Sequence, residues 1–300
     1  MQRKNPAKRI GSFLLALCML AAVTAMPAAA TDSGSTQAPA AQAATPEAAA
    51  AVATPEGTEA PAALEEDTSG LSAEDLALME KPQESLTLEE QLHWIDLWET
   101  YHAAHGELMA AAEGARKLLI STPAQWQDLA KKINDPDTHD TFASLYYQVT
   151  QDIDFNNAET TSIGINGYPF TGTLDGQNHT LRGLNILELR GDVGDSAPVN
   201  FAAQAPISVT DGALVKDLTL ENLSLSANSK VSAGLIGIAN NTTVENVVLK
   251  QANFHFHHEV TSGGLIGSLT GTSVVRNCAV DVEQVSSLGV MGGLIGKTEG

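Results

Sequence analysis

Gly234-Leu235-Ile236-Gly237 recurs as Gly264-Leu265-Ile266-Gly267 and again as Gly293-Leu294-Ile295-Gly296. The copies start 30 and then 29 residues apart, and each follows a small residue: Ala233, Gly263 or Gly292. About ten residues after the first two copies comes Val-x-Asn and an apolar stretch, as Val244-Glu245-Asn246-Val247 and Val275-Arg276-Asn277-Cys278. Val215-Lys216-Asp217-Leu218 is an earlier copy, whose Gly-Leu-Ile-Gly is replaced by Asn200-Phe201-Ala202-Ala203. Between the motifs, Leu218, Leu220, Leu223 and Leu225 approach strict alternation, as do Val247, Leu249 and Ala252, and then Val280, Val282 and Val285. Period two means strands. A fixed period near 30 with one strand-and-turn set per unit means a solenoid, in which a unit buries its apolar face only by stacking on the next. The glycines are expected to allow φ > 0 turns and close backbone approach between units. Asn246 and Asn277 are expected at bends, bonding backbone groups from rung to rung. A propeller-like or other all-β repeat stands second, because a blade needs ~40–50 residues.

Outward toward the N-terminus the character changes. Ile120 to Ala130 reads as a strand end followed by a helix, capped by Ser121 or Thr122 with Pro123 in the first turn. Its Trp126, Leu129, Ala130 and Ile133 are suited to cover the apolar end that a first rung exposes. Residues 65–116 are acidic and helical in pattern, with Thr87-Leu88-Glu89-Glu90 as a capping box. Trp94 and Trp98 share one face, and the segment reads as a short helical hairpin or a partner-binding helix. Residues 31–64 are Ala, Pro, Thr and Glu with almost no large apolar side chain, so they read as a disordered linker. Arg3, Lys4, Lys8 and Arg9, the apolar run from Phe13 to Met26, and Ala28-Ala29-Ala30 make residues 1–30 a signal peptide cleaved before Thr31. The apolar run falls short of the ~20 residues that span a bilayer. The mature chain is thus expected to be secreted, extracellular and free of a membrane span. Asn178, Asn222, Asn240 and Asn241 match the glycosylation pattern but need no role in a bacterial chain.

The 300 residues carry 36 acidic and 16 basic side chains, a formal charge of −20. From Asp32 to Glu113 there are 17 carboxylates and one basic residue, Lys81, so much of the imbalance sits ahead of the repeats. No basic face exists to neutralise phosphates or an anionic bilayer, which argues against nucleic acid and membrane surfaces as partners. Of two cysteines, Cys18 lies in the signal peptide, which leaves Cys278 alone and excludes a disulfide scaffold.

The units resemble the GLUG motif of bacterial surface proteins. The stretch before them strengthens the likeness: the 120–130 helix, then Tyr147-Gln148-Val149-Thr150-Gln151-Asp152-Ile153-Asp154-Phe155, Ile163-Gly164, and Phe170-Thr171-Gly172-Thr173-Leu174-Asp175-Gly176-Gln177-Asn178-His179-Thr180-Leu181. That order is similar to the cap at the entrance of right-handed β-helices in Gram-positive adhesins. It is also similar to the region ahead of the catalytic domain in immunoglobulin-A-specific metallopeptidases. The resemblance implies a right-handed parallel β-helix with a helical cap over residues 117–198 and GLUG-type repeats over residues 199–300, cut partway along a longer array. It further implies a cell-surface adhesin that holds a host or environmental protein or glycan, with the cell wall as a possible anchor. The alternative is the β-helical front of a larger secreted peptidase or glycan-active enzyme.

The chemistry-bearing residues point away from catalysis in this stretch. The peptidase's His-Glu-x-x-His occurs nowhere; His102 and His105 are three apart with Glu107 beside them, which does not place two imidazoles and a base as that motif does. A glycan lyase or hydrolase needs clustered carboxylates. Lys216, Lys230, Lys250, Arg276 and Lys297 fall at separate corners, and Lys216, Glu245 and Arg276 share one repeat position, which reads as a solvent-facing ladder. Asp175-Gly176 reads as a tight turn. Asp152 and Asp154 share a strand face and are a candidate Ca²⁺ pair. His255 and His257, with His258, are a candidate metal pair. No residue is assigned as catalytic and no cofactor is expected.

Overall fold

A computed structural model describes residues 71–104, 117–187, 203–256, 261–287 and 289–299. The signal peptide, the 31–64 linker, His105, His257 and His258 lie outside them. The chain opens with helix α1 (Ala73–Met79), one 3₁₀ turn (Gln83–Ser85) and α2 (Leu88–Ala104). Strand β1 (Leu118–Ile120) precedes α3 (Pro123–Asn134) and α4 (His139–Phe142). Then come β2 (Tyr146–Val149), β3 (Ile153–Asp154), β4 (Thr173–Asp175), β5 (Thr180–Arg182) and β6 (Asn185–Ile186). The repeats supply β7 (Ala203–Gln204), β8 (Ile207–Asp211), β9 (Leu214–Glu221), β10 (Ser224–Ala227), β11 (Val231–Ala233), β12 (Ile236–Asn240) and β13 (Thr243–Phe256). They continue through β14 (Thr261–Gly263), β15 (Ile266–Thr270), β16 (Val274–Arg276), β17 (Ala279–Ser286), β18 (Val290–Gly292) and β19 (Ile295–Glu299).

Strands of successive units pair in parallel, so the protein is a β-solenoid of about six turns. Its largest sheet runs β1-β2-β4-β9-β13 and on to β16 and β17, with β3, β5, β6 and β10 paired alongside. The orders β7-β11-β14-β18 and β8-β12-β15-β19 form the other two sheets. Like side chains stack in register: Ile207, Ile236, Ile266 and Ile295 in one column, and Val215, Val244 and Val275 in another. These columns fill the interior; Ile236, Ile266, Val244, Leu220 and Leu249 are fully buried.

The motif's first glycine lies where two rungs and the core converge. A Cβ on Gly234 would overlap the Gly264 carbonyl oxygen and the Leu249 side chain; on Gly264 it would overlap the Gly293 carbonyl oxygen. The second glycine packs on the preceding rung: a Cβ on Gly237 would strike the Ala203 side chain, and one on Gly267 would meet Val231. Leu235 and Leu265 point into the core between them. Neither motif glycine has a positive φ, so of the two expected roles only close approach holds. Positive φ falls instead at the bends, on Asp217 (54°), Asn246 (55°) and Asn277 (53°), then Asn222 and Gln251, then Gly212, Asn241 and Gly271. Asn and Asp tolerate this region because their short side chains bond locally. Asn246 and Asn277 do sit at bends, yet they bond side chain to side chain: Asn277 Nδ2 donates to Asn246 Oδ1 (3.1 Å), and Asn246 Nδ2 to Asp217 Oδ1 (2.7 Å).

The first rung's outer edge is closed by amide side chains. Gln91 is fully buried; its Nε2 donates to the Leu119 carbonyl (2.9 Å) and its Oε1 accepts the Leu119 N–H (2.6 Å), standing in for a missing strand. Gln83 Nε2 likewise donates to the Lys117 carbonyl, and Gln125 Nε2 to the carbonyls of Glu84 and Leu86. Trp126, Leu129, Ala130 and Ile133 of α3 are fully buried, as their pattern requires, and Thr122 caps the helix. Leu88, Trp94, Ile95, Leu97 and Trp98 join the same core, so α2 is part of the closure and not a free arm. Lys132 of α3 pairs with Glu89 of α2 at 2.7 Å.

Two expectations follow. Gln91→Leu strands the Leu119 N–H and C=O in a dry edge and should cost about 2–4 kcal/mol in urea unfolding, at ~1–3 kcal/mol per orphaned group. Gly264→Ala should destabilise the chain strongly, whereas Gly293→Ala should be nearly neutral, because a Cβ there meets nothing within 4 Å; thermal melts of the two variants separate them.

Candidate binding face

The strand pattern that fills the core also decides what faces solvent. Along β6, β10, β13 and β17 the inward positions are Ile186, Leu225, Phe254 and Val285. The outward neighbours form in-register rows: Asn185, Ser224, Asn253 and Gln284 in one, and Ser226, His255 and Ser286 in the next. Rungs lie about 4.8 Å apart and alternate residues about 6.6–6.8 Å apart along a strand. The result is a flat lattice of amides and hydroxyls with one imidazole. Phe254 and Phe256, both 2% exposed, stack beneath it with centroids 5.7 Å apart and hold the strand rigid. Asn185 Nδ2 donates to the Asn157 carbonyl, and its buried Oδ1 has no hydrogen-bond partner among the described residues.

Earlier along the same rungs is a polar cluster. Asp175 is 1% exposed; its Oδ2 takes the Lys216 ammonium at 2.7 Å, together with the Tyr146 hydroxyl and the Gln177 side-chain amide, while Oδ1 accepts the Gln177 N–H. Lys216 also reaches Asp217 at 2.9 Å. Burial works against the Asp175 charge, but the hydrogen bonds from Lys216 and Tyr146 outweigh it and hold the carboxyl below its ordinary range. Burial, followed by the Asp175 hydrogen bond, pushes the Tyr146 phenol up to about 12. The Lys216 ammonium opposes its own desolvation through both carboxylates and is raised. Lys216 is therefore not an isolated corner residue as the repeat position suggests, and Asp175 does more than shape a turn. The Asp175 oxygens are occupied by structural partners.

The remaining candidates fall apart. Asp152 Oδ1 accepts the Thr180 N–H at 2.9 Å and faces His179 Nδ1, whereas Asp154 Oδ1 accepts the Asn156 N–H. Among the described residues no three His, Cys, Asp or Glu side chains are placed to hold a metal ion. His255 lies in the outer lattice, and His257 lies outside the described residues. All twelve motif positions, Gly234 to Gly237, Gly264 to Gly267 and Gly293 to Gly296, belong to the rung corners and sheet described above. No described helix is long and apolar enough to cross a membrane. Beside α3 an open groove of about 640 Å³ is lined by Gln127, Lys131, Asn134, Asp135, Pro136 and Thr161. The outer rows and the Tyr146–Asp175–Lys216 cluster escape a linear reading. Aligning the units at the 29–31-residue offsets of the strand registers would have exposed both.

This fold and face define a class: a parallel β-solenoid, helically closed at its front, with a rigid uncharged outer lattice. No family model, curated protein or solved structure matches the chain.

Lys216→Met should leave Asp175 buried without its cation and cost about 1–3 kcal/mol in urea at neutral pH. The sign follows from linkage: a carboxyl depressed by folding contributes stability that is present above its unfolded pKa and lost as pH falls through the folded one. The gap between wild type and variant should thus be widest at neutral pH and should narrow below pH ~4. Urea midpoints from neutral pH to pH ~3 check this.

Proposed function

We propose that this chain is an exported, cell-surface binding protein of the GLUG-repeat, adhesin-like kind, without catalytic activity of its own, whose ligand is an uncharged glycan. The observation that carries this reading is the in-register lattice of Asn185, Ser224, Asn253 and Gln284 beside Ser226, His255 and Ser286. Amides and hydroxyls both donate and accept, which is what a hydroxyl-rich ligand demands. A rigid sheet presents them without an ordering cost at binding. The acidic imbalance of the chain disfavours anionic polymers. The basic n-region and apolar run at the N-terminus support export, and the Gly-Leu-Ile-Gly units support the surface-repeat class.

The full chain should bind members of a neutral glycan panel in preference to acidic glycans and matrix proteins. Asn253→Ala with Gln284→Ala should weaken that binding tenfold or more without moving the melting temperature. Binding that is absent across the neutral panel, confined to matrix proteins, or indifferent to the double substitution would refute the reading.

A further inference from the structure

The registers that stack the rungs also stack charges. One row runs Asp175, Lys216, Glu245 and Arg276, each in register with the next. The Lys216 ammonium pairs with Asp175, and the Arg276 guanidinium pairs with Glu245. A second row runs Asp154, Arg182, Glu221 and Lys250 in register. Asp281 is next in that row, one residue past the Val280 that pairs with Leu249. Arg182 holds Glu221 at 2.8 Å. Both rows alternate in sign, and they do so out of phase. The rung with Lys216 carries Glu221, the rung with Glu245 carries Lys250, and the rung with Arg276 carries Asp281. Rungs therefore come in two types, base-then-acid and acid-then-base, and each type stacks only on the other. Directly opposed like charges about 4.8 Å apart would be destabilising.

The last described rung is base-then-acid and is covered on one side only. The Arg276 side chain is 61% exposed, and Val274, Val285 and Val290 are 45%, 49% and 73% exposed. A Cβ on Gly293 meets nothing, although Gly234 and Gly264 each face the carbonyl of the first glycine one rung on. We infer that this end is a docking surface for one further rung of the acid-then-base type. Its occupant is an extended segment that sets a carboxylate over Arg276, a cation over Asp281 and its own glycine against Gly293. A second copy does not meet these terms. Its front is closed by α2 and Gln91, and two open ends can meet only antiparallel, which breaks the parallel registers of every observed rung.

The test appends a copy of residues 242–271 after residue 300 of the full chain, which places the copies of Glu245 and Lys250 over Arg276 and Asp281. A second graft carries the charges reversed (E245K/K250E within the copy). The native-charge graft should raise the melting temperature by about 2–4 °C more than the reversed graft, the shift expected for two opposed pairs. In an R276E/D281K host the ranking should invert. Gly293→Ala should leave the ungrafted chain unchanged and cancel the gain from the graft. Equal gains for both grafts in both hosts, a graft without hydrogen-exchange protection, or an ungrafted chain that sediments as a dimer dispersed by Arg276→Glu would each overturn the inference.

Discussion

Every feature of this molecule depends on one constraint: a rung cannot satisfy its own backbone. In a parallel solenoid the N–H and C=O groups of each strand are bonded by the rungs on either side. The rungs must therefore approach to within a hydrogen bond at the corners as well as along the strands. Gly234 N–H donating to the Gly264 carbonyl, and Gly264 N–H to the Gly292 carbonyl, are where that approach is tightest. There the chain can carry no Cβ without displacing a neighbour's backbone. The same demand reappears at the front edge, where Gln91 supplies from a side chain the donor and acceptor that a preceding strand would have given. It reappears at the bends, where Asp217, Asn246 and Asn277 share one left-handed conformation and tie their side chains into a ladder.

Once the registers are fixed by these bonds, everything on the outer surface becomes periodic. Substituents repeat every rung, so unlike charges meet their opposites and amides meet hydroxyls. Asp175 shows how far this goes: it is fully buried at the edge of the core, and it remains charged because Lys216 of the following rung reaches it. The surface thus divides into paired charges at two bends and an uncharged lattice on the strand between and beyond them. That division places a binding function on the lattice and a stacking function on the charges.

Much of the solenoid was legible in the linear pattern. The 29- and 30-residue spacing of Gly-Leu-Ile-Gly and the near-alternation of Leu218, Leu220, Leu223 and Leu225 suffice to call for stacked strands, and the pattern of Trp126, Leu129 and Ile133 marks a buried helix face. The conformations of single residues were not legible. The motif glycines suggested left-handed turns, and the left-handed residues are Asn and Asp, because what the glycine positions lack is room and not conformational freedom.

The sequence by itself determined the period, the strand-rich core and the imbalance of charge, since these follow from local spacing and composition. Only the tertiary structure decided which residues become neighbours at 29 to 31 residues' distance. The partners of Asp175, the closure of β1 by Gln91 and the out-of-phase charge rows all depend on register, and register is set by backbone bonds between rungs, which no single stretch of the chain encodes.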